Sequence, residues 1–515
     1  MSSRTLTIPV SGECSSLAHN LASLVPALLM LAITLQVTAQ PIYVANPDSG
    51  GGGDDANPGT LDAPVATIEQ AWALSRTDED RGTILLHAGD SWDGSGGVFS
   101  NQRHNSVGSF TLASYGDPAL GRPLIGGGIS ATHLQDTTIR GIQFAGGVSL
   151  VRNTQRVVIE DSAFGSGVTL ESGASYDMHD ITLRGNDISG FSVNGIYATG
   201  LTGLTIEGNT IWRDDEPTMW GHGLYIQASV GDVRIVGNHI IRPNHIGIRA
   251  NGGGQIHDNI VLLAPIGIEV GVPRGVEPSL EPITADVRGN IVMHAAEDTG
   301  RGSGYTLGDA GHIVFSHNFA AFLERRALDI EDIAWESQRI DILGLSIHEA
   351  PGPSDLALNH PAAQWLGPVV SDHPNPLTIL DYDREMGGEG TWESFIHAVR
   401  AGATGYDAPA IREWIGAHYS LAMLLGDMNG DGFADSADIA PFVLALVDPT
   451  LYTASFSIDP QGVGDINADT SFDTRDVSAL VVLLVGGGSA LPVPEPGSFT
   501  LLGLASACLL RRASR

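Results

Sequence analysis

One phrase recurs between residues 136 and 320: an apolar strand, a polar residue, an asparagine, and a second apolar pair. It reads LRGNDI at Asn186, IEGNTI at Asn209, IVGNHI at Asn238, IHDNIV at Asn259, VRGNIV at Asn290 and FSHNFA at Asn318. The asparagines are 23, 29, 21, 31 and 28 residues apart. Between them lies a second phrase: NGIY at Gly195, HGLY at Gly223, IGIR at Gly247 and IGIE at Gly267. Strands of four to six residues cannot each bury a face alone. Stacked as successive coils they form parallel sheets around a continuous apolar interior. The irregular period speaks against a propeller or a leucine-rich repeat and fits a solenoid whose loops vary. The recurrent asparagine suits a tight turn. It tolerates a left-handed backbone and can hydrogen-bond to the turn or to its stacked neighbour.

Composition agrees with many short strands and turns. The chain has 515 residues, 42% hydrophobic, with 65 glycines and 6% aromatics. It contains no lysine, so all 26 basic residues are arginine, against 59 acids, for a net charge of −33. A basic face for nucleic acid is absent, and a lysine base is excluded from any mechanism. The acidic surface reads as a solubility device. The two cysteines, Cys14 and Cys508, both lie in terminal segments, which leaves the working protein without a disulfide or a thiol nucleophile.

The repeats resemble right-handed parallel β-helix proteins of the pectate-lyase-like superfamily. The opening IYVANPDSGGGGDDANPGTLDAPVATIEQAW, followed by TILLHAGDSW, strengthens the likeness. In such proteins a strand, an Asp/Gly loop and a short helix, here about Thr67–Ser75, cap the open end of the solenoid. The resemblance implies an all-β fold, a right-handed parallel β-helix over residues 40–325, and says little about reaction. Residues 326–425 read as a C-terminal cap and connector, with helical spacing over Gly390–Arg400 and Ala408–Leu425.

The two ends read as addresses. Leu21–Val37 is an apolar run after a polar start, followed by small residues at Val37-Thr38-Ala39. This predicts a secretory signal over residues 1–39; the run is short for a membrane anchor and carries Pro26. After a linker at 487–492, residues 493–515 hold Val493-Pro494-Glu495-Pro496, the apolar stretch Phe499–Leu510, and then Arg511 and Arg512. A short apolar segment with a positive stop lodges in the inner membrane with its arginines inside. The three parts in this order resemble the PEP-CTERM sorting tail. That resemblance implies an exosortase-type enzyme as partner and a destination at the cell surface, outer envelope or extracellular matrix.

Chemistry on the solenoid is sought on its outer face. If the residue after each glycine of the second phrase points inward, the next points outward. Tyr197, Tyr225, Arg249 and Glu269 then form one column, about 4.8 Å apart. Thr199, Gln227, Asn251 and Gly271 form a second. A linear saccharide needs rings to stack on, and Arg or amides for its hydroxyls and carboxylates. An ordinary polar solenoid face would alternate in the same way. The longest insertion, residues 211–223, packs Asp214, Asp215 and Glu216 between Trp212 and Trp220. Glycosidic hydrolysis needs two carboxylates; elimination from a uronate needs a base and a cation. Candidates are Asp214, Asp215, Glu216, His222, Tyr225, His245, Arg249 and Glu269. A solvated acidic turn is the plain alternative for that loop. His239, His257, His294 and His312 show no metal-binding spacing.

Near the C-terminus two acidic loops repeat. The first places Asp427, Asn429, Asp431, Asp435 and Asp438 at loop positions 1, 3, 5, 9 and 12, with Gly432 at the sharp turn and the Phe433 carbonyl at position 7. The second repeats the side-chain oxygens with Asp465, Asn467, Asp469, Asp473 and Asp476, with Ser471 at position 7. It has Thr470 in place of the turn glycine, which strains it. Each loop leads into an apolar helix. Two such units, over residues 426–486, resemble a dockerin domain: a small α-helical, calcium-binding module. The resemblance implies Ca2+ and a cohesin-like partner; a calcium-held spacer without a partner is the alternative. Together these readings predict an exported, surface-associated protein that binds or acts on polysaccharide by lyase, hydrolase or epimerase chemistry. The competing expectation is a non-catalytic adhesin or matrix protein.

Overall fold

The computed structural model describes residues 40–486 apart from 50–51, 78–81, 95–108, 174, 214–220, 272–282, 295–301, 331–338, 366–368, 372–376, 419–425, 429–433, 435, 457–459 and 467–470. The expected signal (1–39), linker (487–492) and sorting tail (493–515) lie outside the described residues. Among the described residues no helix is long and apolar enough to cross a membrane.

The chain divides into two units, residues 1–90 with 106–120, and residues 91–105 with 121–515. In the first, Ile42–Val44, Thr83–His87 and Phe110–Tyr115 pair in parallel. The helix Ile68–Thr77 buries Ile68, Ala71 and Trp72 there, and Trp72 stacks on Phe110 at 4.8 Å.

The second unit is a three-sided coil of parallel strands. One turn runs Gly231–Val236, then His239–Ile241, then Ile246–Ala250. Each strand pairs only with its counterparts one coil before and after, building a twelve-stranded second sheet and a nine-stranded third sheet. The first side runs from Gln135–Arg140 to Ala363–Trp365. Strands continue past residue 325, to Val369–Ser371. Alternation decides the faces. In the sample coil Val233, Ile235, Ile240, Ile246, Ile248 and Ala250 are buried, while Asp232 and Arg234 face outward. This is the right-handed, mostly parallel β-solenoid expected from the repeats.

The asparagines behave differently from a turn-forming residue. The left-handed residue is the one before each of them: Gly185, Gly208, Gly237, Asp258, Gly289 and His317, with φ from 51° to 63°. The asparagines themselves point inward and are 0–2% exposed. From Asn209 on, each Oδ1 accepts the backbone N–H and the Nδ2 of the asparagine one coil earlier. Asn209 donates to Asn238 at 2.9 and 3.0 Å, and Asn238 to Asn259 at 3.0 and 2.9 Å. The ladder runs unbroken from Asn186 to Asn318. Ser162 precedes it, donating its own N–H to Asn186. A buried corner leaves backbone groups that water cannot reach, and a stacked amide satisfies them.

Residues beyond 370 do not sit on the coil axis as a simple cap. Helices Ile379–Glu385, Trp392–Arg400 and Ala408–His418 lie along the flank of the second sheet. Ile379, Phe395, Ile411 and Ile415 share one buried cluster with Trp212, Leu262, Met293 and Phe319. This is why strands such as Ile260–Leu262 and Ile291–Met293 are buried on both faces. Arg400 lies 4.1 Å over the Trp212 ring and pairs with Asp187 at 2.9 Å; Arg412 pairs with Asp258.

Candidate functional site

The glycines of the second phrase fix the third sheet. A Cβ on Gly247 would sit 2.3 Å from Val261 Cγ1 and 2.6 Å from the Gly267 carbonyl. The strand therefore lies close against the core, and Ile196, Leu224, Ile248 and Ile268 follow as wholly buried residues. The next residue faces outward on every coil. Tyr197 pairs with Tyr225, Tyr225 with Arg249, Arg249 with Glu269, Glu269 with Thr306 and Thr306 with Asp329. Thr169 and Ser149 extend the column at its other end.

These side chains touch. The Tyr197 and Tyr225 rings meet edge to face at 5.6 Å. The Arg249 guanidinium lies 5.0 Å over the Tyr225 ring, pairs with Glu269 at 2.9 Å and donates through Nε to Asn251 at 3.3 Å. Arg249 and Glu269 side chains are only 17% and 9% exposed, so the ion pair is largely withdrawn from water. A planar guanidinium held by a ring, a carboxylate and an amide is fixed in place.

Behind the column sit two histidines. His222 is buried, 5.0 Å from the Tyr225 ring and 5.1 Å from the His245 ring. Burial first, then the nearby His245 and Arg249, push its pKa down to about 3. His222 is therefore neutral near pH 7. Its Nδ1 has no hydrogen-bond partner among the described residues.

The structure thus brings Tyr225, Arg249, Glu269, His222 and His245 together. Asp214, Asp215 and Glu216 lie outside the described residues, although Trp212 and Arg213 at the start of that insertion are buried. Sequence reasoning missed the adjoining hollow. A cavity of about 320 Å³ opens beside Tyr197, lined by Ser166, Thr169, Ser192, Val193 and Asn194 among others. Its floor comes from short turns between sheets, which carry no periodic signal.

In the acidic module the described acids at the loop ends are withdrawn from water. Asp438 and Asp476 are fully buried and Asp427 nearly so. Asp438 accepts the Met428 N–H at 2.7 Å, and Asp476 accepts the Asp473 N–H at 2.9 Å. The helices Ile439–Val447 and Asp476–Gly486 follow, and Met428, Phe442, Tyr452, Val463 and Leu480 share a core. Asn429, Asp431, Phe433, Asp435, Asn467 and Asp469 lie outside the described residues. Ser471 is half-buried. Among the described residues no metal-binding cluster is assembled. Asp473 is engaged by Arg475 at 2.6 Å, which holds its carboxyl below the usual range.

Comparison with known proteins reaches the fold and the tail. A family model described as a right-handed β-helix region matches residues 126–271. That stretch is a right-handed β-helix. A second model, the PEP-CTERM protein-sorting motif, matches residues 492–515 and indicates export and sorting to the surface. No curated protein matches the chain in sequence. Among solved structures, the chain is similar to PfbA, a surface adhesin of Streptococcus pneumoniae. Identity is 13%, covering 60% of this chain and 91% of that one, with a TM-score of 0.41. It is also similar to the periplasmic alginate epimerase AlgG, at 14% identity over 56% and 77%, TM-score 0.37. A rhamnogalacturonan lyase follows at 13% over 66% and 90%, TM-score 0.33. Identities and scores of this size carry nothing about function across to this chain.

Proposed function

We propose that this is an exported, surface-associated β-helix protein that binds polysaccharide along the third sheet. One observation carries the reading: Tyr197, Tyr225 and Arg249 stand in register on one outer face, ring against ring and guanidinium over ring. Successive coils present these groups at about 4.8 Å intervals, a surface suited to an extended sugar chain. Affinity measurement against a panel of neutral and uronate polysaccharides tests it. Tyr225→Ala is expected to weaken binding about tenfold, from the lost stacking and cation–π contacts. Unchanged binding would remove the column from the site.

A second reading, turnover of the bound chain by lyase, hydrolase or epimerase chemistry, is favoured by His222. It is a neutral imidazole near pH 7, able to accept or donate a hydrogen bond beside a tyrosine and a fixed guanidinium. Release of reducing ends or unsaturated products from the same panel supports turnover. Retained binding with no product on any member supports the adhesin reading.

The acidic module extends the proposal. Its loops would hold Ca2+ through Asp427, Asn429, Asp431, Asp435 and Asp438, and through Asp465, Asn467, Asp469, Asp473 and Asp476. The buried acids at the loop ends support this. Such a module serves as a rigid spacer ahead of the sorting tail or as a dock for a cohesin-like partner.

A further inference from the structure

The side chains around the cavity beside Tyr197 also speak to which sugars fit. Its polar lining consists of hydroxyls and one amide, from Ser166, Thr169, Ser192 and Asn194, with the Tyr197 ring along one side and Val193 at the rim. Among the described residues no charged side chain lines it. Val193 is 51% exposed and offers an apolar surface beside these hydroxyls. The volume, about 320 Å³, falls at the lower end of the roughly 300–1,000 Å³ range for small-molecule sites, enough for the end of a chain.

The cations nearby are committed elsewhere. Arg249 is paired with Glu269 at 2.9 Å and held over Tyr225. Arg213 is buried and donates to the Ser192 carbonyl at 3.3 Å. A uronate carboxylate laid on this face would have to displace Glu269 from Arg249, leaving a buried carboxylate without its cation. Further along the column comes Asp329, and the whole chain carries −33. The local and the long-range fields both disfavour an anionic ligand.

We infer that the ligand of this face is a neutral glycan, with one end seated in the cavity by stacking on Tyr197 and by hydroxyl and amide hydrogen bonds. The inference rests on the polysaccharide-binding reading above. Within it, elimination from a uronate and epimerisation beside its carboxyl drop out.

Titration calorimetry of the full chain tests it with neutral gluco-, manno- and galacto-oligosaccharides against oligogalacturonate and oligomannuronate. Neutral oligosaccharides are expected to bind, with affinity unchanged between about 0.02 M and about 0.5 M salt, because no ion pair forms with the ligand. Tyr197→Ala is expected to weaken this binding about tenfold, while Tyr197→Phe keeps the ring and stays within about threefold, which separates a lost contact from a lost fold. Binding of the uronates as tightly as the neutral sugars, or binding of uronates alone, overturns the neutral class and leaves the binding reading standing. Binding of neither class overturns both.

Discussion

At the scale of single residues, the asparagine ladder shows how one buried amide can replace a turn's access to water. Asn238 accepts two hydrogen bonds from Asn209 and donates to the Ile206 carbonyl and to Asn259. Asn238→Leu strands the Asn209 backbone N–H and one of its two Nδ2 hydrogens, and removes the donor to the Ile206 carbonyl, in a place water does not reach. Each stranded group costs about 1–3 kcal/mol, so a loss of about 3 kcal/mol or more is expected. Asn186 accepts only the Ser162 N–H from the coil before it, so Asn186→Leu should cost less. Urea midpoints by circular dichroism check both, and equal losses would contradict the ladder account. The repeat itself was plain in the sequence. The division of labour within it was not, because Gly-Asn pairs fit two geometries. A left-handed asparagine and a left-handed glycine before an inward asparagine give the same letters. The exceptions IHDN and FSHN, with Asp258 and His317 in the strained position, show that the asparagine is the residue the fold needs.

At the scale of elements, the helices Trp392–Arg400 and Ala408–His418 could be read from their periodicity, but the helix Ile379–Glu385 and the docking site of all three could not. The clue was present: the strands Ile260–Leu262 and Ile291–Met293 are apolar at every position, so both faces must be covered. Nothing in a periodic pattern says what covers them. The joint carries a pH prediction. His294 stacks on Phe322 at 4.6 Å and meets Trp392 edge-on at 5.4 Å. His239 feels Asp407, and His317 feels Arg412, both from the helical layer. Burial pushes all three from 6.5 to about 4. The unfolded chain therefore takes up protons below about pH 6.5 that the folded chain refuses until about pH 4. Above pH 6.5 the three histidines cost nothing. Between pH 6.5 and pH 4 they destabilise the folded state progressively, and below pH 4 the loss levels off. Urea midpoints of the wild type should fall across that window. His294→Phe keeps the stacking and should flatten the fall; an unchanged slope would show that His294 does not titrate as its burial demands.

At the scale of the whole molecule, the sequence located the outer column correctly because strand alternation is rigid once the inward residue is known. It could not locate the cavity beside Tyr197, which is made by turns. The sequence also leaves the two acidic loops unequal, and the structure adds a second reason. Thr470 replaces the turn glycine in the second loop, and Arg475 holds the Asp473 carboxylate that should serve the ion. Calcium bound there would have to displace that guanidinium to gain its ninth-position ligand, whereas the sequence of the first loop, Asp427–Asp438, contains no arginine. Titration of the full chain should therefore show one tighter and one weaker site. Arg475→Ala should tighten the weaker site by freeing Asp473, and Thr470→Gly should tighten it by relaxing the turn. The two changes act on different steps, so their effects should add. Asp431→Ala should abolish the tighter site and leave the weaker one measurable. If the loops hold calcium, chelation should lower the melting of the module built on Met428, Phe442, Tyr452 and Leu480, because the buried Asp438 and Asp476 would lose their cation. A melting profile indifferent to chelator would remove calcium from the account and leave the acidic loops as solvated turns.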